Sequence, residues 1–209
     1  MSNLIITIGR QFGSGGRAVG KELAKELGIG YYDKEILNVA AKESGLCQSL
    51  FEHHDEKPTN SFLYSLVMDT YSMGYNSGSY LDMPLNHKVF LAQFDSIKKL
   101  AERESCVIVG RCADYALEDF SNVYRVFIHA NMDCRIKRVM EYDSVNEAKA
   151  KDIILKNDKQ RSSYYNYYTS KKWGDAKSYD LTINSSVLGI DGCVSMIKYM
   201  LEKVDAMNK

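Results

Sequence analysis

Apolar residues along this chain follow two rhythms. Short continuous runs occupy Leu4 to Ile8, residues 106–111 (running into Gly-Arg), 122–130 and 179–184, with a weaker run at 29–32. Such runs predict strands buried on both faces, as in parallel sheets. Between them apolar residues recur at helical spacing. Val19, Leu23, Ala24 and Leu27 form one stripe, closed at Gly28 as a C-cap. Val89, Phe90, Phe94, Ile97, Leu100 and Ala101 form another, within a helix predicted over 86–104. Further helices are predicted over 34–44, 61–71, 132–140, 145–168 and 189–204, with loop or short helix at 45–60 and a loop at 72–84. Strands alternating with helices predict parallel crossovers, hence an α/β fold: a three-layer, doubly wound parallel sheet. Two segments, 47–98 and 131–175, break the alternation. They are expected to be insertions over the strand ends where such sheets bind ligands. The remaining core is about 1–46, 99–130 and 176–209 of one domain spanning 1–209.

The junction of the first strand and first helix carries the strongest chemical signal. Gly9, Gly13, Gly15 and Gly16 fall within eight positions. Strand, glycine-rich loop and helix together wrap backbone N–H groups round a phosphate, at the positive end of a helix dipole. Gly13, Ser14, Gly15, Gly16, Arg17 and Ala18 are the candidate phosphate-binding residues. The usual signature places Lys and then Ser or Thr after the last glycine. Here those slots hold Gly16 or Arg17, then Ala18. A literal match from Gly15 to Lys21 is rejected, because it puts the lysine well inside the helix.

Composition narrows the classes. The chain has 209 residues, 45% of them hydrophobic, enough for a real core. Acidic and basic residues balance at 27 each, so no global field attracts a nucleic-acid polymer or an anionic membrane. No basic, apolar leader and no membrane-length apolar window is present, which predicts a cytoplasmic protein. Five cysteines lack any C-x-x-C and are expected to be reduced thiols. His53, His54 and Asp55 adjoin one another, but a solvated stretch is the expected reading, and no metal-ligating residue is predicted.

With these pieces in place, the chain resembles the cytidylate-kinase-like family of nucleoside-monophosphate kinases, within the P-loop kinase fold. IITIGRQFGSGGRAVGKELAKELG resembles the family's first strand, phosphate loop and first helix. YYDKEIL resembles the start of the monophosphate site, with Asp33 as its acid. VIVGR resembles the strand whose Gly-Arg pair, here Gly110 and Arg111, meets the acceptor phosphate. Residues 157–175 resemble the lid, and 179–194 the last strand and helix. The departures are Gly16 and Ala18 in the loop, Ile154 where the lid would carry another arginine, and the absence of a longer acceptor motif after YYD.

The resemblance implies ATP-dependent phosphoryl transfer, with Mg2+, to a nucleoside monophosphate, CMP or dCMP first. Small nucleotides are then the partners. Two alternatives stay open: a non-catalytic nucleotide- or anion-binding module, and a kinase for a non-nucleotide acceptor. Phosphoryl transfer needs alignment and cations more than covalent help. Arg17 is the nearby cation expected to replace the missing lysine, since a guanidinium can grip phosphate bidentately. Arg111 ends a buried strand, where a charge needs an anion, either an acceptor phosphate or Asp33 or Asp114. Arg135 and Arg138 share a helix face. They, with Arg161 and Asp158, are the further catalytic candidates. Asp33 is the candidate acceptor-site acid, or else an N-cap. The tyrosines at 164, 165, 167 and 168 could stack a base or simply pack.

Overall fold

The computed structural model describes residues 3–44, 56 and 85–207. The helix expected at 61–71, the loop at 72–84, Cys47 and the His53–His54–Asp55 group lie outside the described residues.

Five strands form one parallel sheet: β1 (Ile5–Arg10), β2 (Gly30–Tyr32), β3 (Cys106–Val109), β4 (Val123–His129) and β5 (Leu181–Asn184), in the order β2-β3-β1-β4-β5. β1 is central, pairing Ile5 with Cys106 on one side and with Val123 on the other. Connections leave β1 toward both edges, so the carboxyl ends of β1, β3 and β4 border the crevice where such sheets bind ligands. Seven helices surround the sheet among the described residues: α1 (Gly16–Leu27), α2 (Glu35–Ser44), α3 (Leu85–Arg103), α4 (Ala113–Ala116), α5 (Met132–Asp143), α6 (Glu147–Thr169) and α7 (Ser185–Met207).

Side chains alternate across each strand, which explains the continuous apolar runs. Ile6 and Ile8 join Val107, Val126 and Ile128 beneath Val19 and Leu23 of α1 and Val194 and Ile197 of α7. Ile5, Cys106 and Ile108 face the other way, toward Phe90, Phe94 and Ile97 of α3 and Tyr164 and Tyr168 of α6. These are the three layers expected. The tyrosines resolve toward packing. Phe90 and Tyr168 stack with ring centroids 3.9 Å apart and planes 9° apart, and Tyr164, Tyr165 and Tyr168 are buried.

Small differences have local causes. α7 begins at Ser185, not at 189. Gly189 (φ 68°) interrupts the helix and hid its first turn from the periodicity. The last strand starts at Leu181, because a 3-10 turn at Ala176–Ser178 occupies the approach. α5 and α6 make a hairpin with its own core of Ile136, Val139, Ala150 and Ile154, into which Phe12 of the glycine-rich loop packs.

Candidate functional site

The loop between β1 and α1 is shaped by its glycines. Gly13 and Gly15 take φ of 74° and 82°, where a side chain would be strained. A Cβ on Gly15 would lie 2.6 Å from Ile190 Cδ1, and one on Gly16 would lie 2.5 Å from Arg10 Cβ. Val19 N–H donates to Gly15 O (3.0 Å). The amides before it belong to the first turn of α1, which a helix leaves without internal acceptors. These are the donors a phosphate would take. The hydroxyl of Ser14, one of the candidate phosphate-binding residues, turns inward and donates to Gln11 O at 2.9 Å. Ser185 Oγ in turn donates to Ser14 O.

The α5–α6 hairpin grips this loop through Phe12. Phe12 N–H donates to Asp158 Oδ1 (2.8 Å), and Arg135 Nε donates to Phe12 O (2.8 Å). Arg135 and Asp158 also pair with one another. Both are catalytic candidates. In the structure they engage the loop backbone, and Arg135 is 3% exposed. Arg138, one turn on, leans over the loop: Nη1 is 3.3 Å from Gly13 O and 3.1 Å from Ser185 Oγ. It is partly exposed, as a group that meets a ligand must be.

A second group gathers at the ends of β1 and β3. Arg10 Nη1 meets Glu56 Oε1 at 2.7 Å, and Arg161 Nε meets Glu56 Oε2 at 3.2 Å. Arg111 N–H donates to Glu56 Oε1 at 3.3 Å. The Arg111 guanidinium turns away and pairs with Asp33 at 2.9 Å, its side chain 1% exposed. Of the anions foreseen for Arg111, Asp33 pairs with it in the structure. Asp33 is therefore no simple N-cap: its carboxylate holds Arg111, and Arg17 as well at 2.5 Å. Arg17 does not fold over the loop. Its side chain runs from the first turn of α1 to Asp33 and is 52% exposed.

Burial alone would raise the carboxyl groups of Glu56 and Asp33. The charges of Arg10 and Arg161 on Glu56, and of Arg111 and Arg10 on Asp33, outweigh it and hold both below the usual carboxylate range. Asp114 behaves oppositely. Burial raises it, and the hydrogen bond from Tyr165 OH (2.6 Å) offsets this only in part. Thr7, Arg10, Glu56, Arg111, Arg161 and Tyr165 line a cleft of about 20 Å3, room for about one water.

Comparison with known proteins sets this geometry in a family. Residues 5–187 match the cytidylate kinase-like family. The chain belongs to that family. A cytidylate kinase from Desulfurococcus amylolyticus is 24% identical over 110 residues, which are 52% of this chain and 58% of that enzyme. The match thus spans less than two thirds of that curated relative. A solved structure of an uncharacterized protein from Eubacterium ventriosum is 32% identical, with a TM-score of 0.69, covering 96% of this chain and 99% of that one. Shikimate kinase from Bacteroides thetaiotaomicron, at 16% identity and a TM-score of 0.51 over 95% of this chain and 98% of that one, shares the fold.

Within this cytidylate-kinase-like protein, two site residues escaped sequence reasoning. Arg10 ends a buried strand just as Arg111 does, so the argument that a charge there needs an anion applied equally. Glu56 sits in a polar stretch without periodicity, and no pattern marked it.

Proposed function

We propose that this protein transfers the γ-phosphoryl group of ATP to a nucleoside monophosphate, with CMP or dCMP the first acceptors to consider, in the cytoplasm. Membership of a kinase-like family supports phosphoryl transfer, and the curated cytidylate kinase supports the acceptor class. The observation that carries the reading is the meeting of loop amides and guanidiniums at the crevice. The amides opening α1 would take the donor's phosphates. Arg138 beside Gly13 and Arg161 beside Arg10 O stand where charge develops during transfer. The Gly110–Arg111 turn and Asp33 border the same crevice on the side of β2 and would receive the acceptor.

The described residues do not fit direct ligation of Mg2+. Ala18 offers no oxygen, Ser14 Oγ is turned inward, and no cluster of three or more His, Cys, Asp or Glu is present among the described residues. The ion would arrive on the nucleotide's phosphate oxygens, and the chain's part is to hold those phosphates and exclude water.

A coupled assay for ADP, with ATP, Mg2+ and CMP, dCMP, UMP or AMP, tests this. Turnover is expected with CMP or dCMP ahead of the others. ATP binding without ADP from any monophosphate, at high enzyme, would replace the kinase reading with that of a nucleotide-binding module.

A further inference from the structure

Glu56 sits in a ring of donors drawn from three separate parts of the chain. Arg10 addresses both carboxylate oxygens, Nη1 at 2.7 Å and Nη2 at 3.5 Å. Arg161 Nε and the amide of Arg111 complete the set at 3.2 and 3.3 Å. That amide is presented by an unusual turn. Gly110, Arg111 and Cys112 all have left-handed φ, at 78°, 54° and 55°. For the two non-glycine residues this conformation is strained, and such strain gathers at ligand sites. Gly110 permits the close approach: a Cβ there would fall 2.0 Å from Arg10 Nη1 and 2.6 Å from Glu56 Oε1.

Forked guanidiniums plus a turn amide are the donors that suit phosphoryl oxygens. A carboxylate fills such a set incompletely, having two oxygens and one charge. Among the described residues, the carboxylates of Glu56 and Asp33 are met by four guanidiniums, those of Arg10, Arg17, Arg111 and Arg161. Among the described residues, Arg10 Nε and Thr7 Oγ1, both on this cleft, are buried and find no hydrogen-bond partner. Burial first, and then the like charge of Arg10, pull Arg161 down to about 10 against the opposing charges of Glu56 and Asp158. Arg10 also fills the volume beside Gly16, the position where the loop signature expects lysine.

We propose that Arg10, Arg161 and the Arg111 amide form a binding position for a phosphoryl group, that Arg10 supplies there the cation missing from the loop, and that Glu56 is a resident anion which the substrate displaces. The proposal rests on the kinase reading only for naming the ligand as a nucleotide phosphate; the anion site itself stands on the geometry. Glu56 then acts as an intramolecular competitor, and the apparent affinity for phosphate is reduced by the fraction of molecules in which it holds the arginines. Its carboxyl stays ionised at neutral pH, so it leaves by competition and not by protonation.

The test titrates inorganic pyrophosphate into the full chain by calorimetry at fixed ionic strength. Glu56→Gln keeps the shape and removes the charge. It should bind pyrophosphate about tenfold more tightly than the parent and lower KM for the nucleotide. Arg10→Met in the Glu56→Gln background should abolish the gain. Equal or weaker binding by Glu56→Gln, or a gain that survives Arg10→Met, would overturn the proposal. Should Glu56→Gln fail to fold, Glu56→Asp, which keeps the charge but withdraws it, should still gain a few-fold, and unchanged binding overturns it equally. The two readings fail separately. No ADP from any acceptor, with the pyrophosphate gain intact, removes the nucleotide kinase and leaves the anion site. CMP turnover with pyrophosphate binding and KM indifferent to Glu56 does the reverse.

Discussion

Gly16 and Arg10 compete for one volume. The Cβ that any other residue would place at 16 falls 2.5 Å from Arg10 Cβ and 3.1 Å from its Cγ. These atoms lie near the backbone and cannot swing aside as the tip of a flexible side chain could. The loss of the loop lysine and the arginine six residues earlier are thus two sides of one packing choice. Gly16→Ala should destabilise the parent by about 1–3 kcal/mol through overpacking. In an Arg10→Gly background the same change should be milder by at least about 1 kcal/mol, a coupling that urea denaturation of the four chains of a double-mutant cycle would measure. Additive effects would show that the two side chains do not contend. The sequence displayed Gly16 as a missing lysine, because a motif is read along the chain. The reason for the glycine lies on the preceding strand, and only the fold brings the two together.

At the level of elements, Ile154 shows how a family expectation can be answered by local packing. The resemblance placed an arginine here. Ile154 is 0% exposed and packs with Ile136, Val139 and Ala150 where α5 meets α6. Ile154→Arg would bury a charge among apolar side chains and should cost about 3 kcal/mol or more. Leu155→Arg, at a position 50% exposed on the same helix, should stay within about 0.5 kcal/mol of the parent. Thermal or urea melts of the two variants check the contrast, and equal losses would mean that the hairpin core contributes little. Strands and helices themselves were legible, because each repeats its apolar rhythm over many residues: β1, β3 and β4 lie within a residue or two of the predicted runs. The roles of Arg17, Arg135 and Asp158 were less so. Spacing showed which residues share a helix face; the fold then joins Arg135 and Asp158 to the loop backbone and Arg17 to Asp33.

For the molecule as a whole, the buried carboxylates set the response to acid. Glu56 and Asp33 are held below their unfolded pKa by their arginines. The stability they contribute is fully present above the unfolded value of about 4 and is lost as pH falls through the folded values. Asp114 has the opposite sign. Raised by burial, it weakens the fold at neutral pH and ceases to do so as pH falls to the unfolded value. The melting temperature should therefore hold or rise slightly from pH 7 to about 5 and fall steeply below about 4. Asp114→Asn should raise it at pH 7, with the advantage gone near pH 4, as differential scanning calorimetry across that range would show. A steady decline from pH 7 downward would contradict the assignment of these groups. One further consequence follows from Phe12, tethered at its amide to α6 and at its carbonyl to α5. If the hairpin swings outward, it must either tear both tethers or drag the glycine-rich loop with it. Cover and cradle therefore work as one mechanical unit: uncovering the crevice and reshaping the loop are a single act.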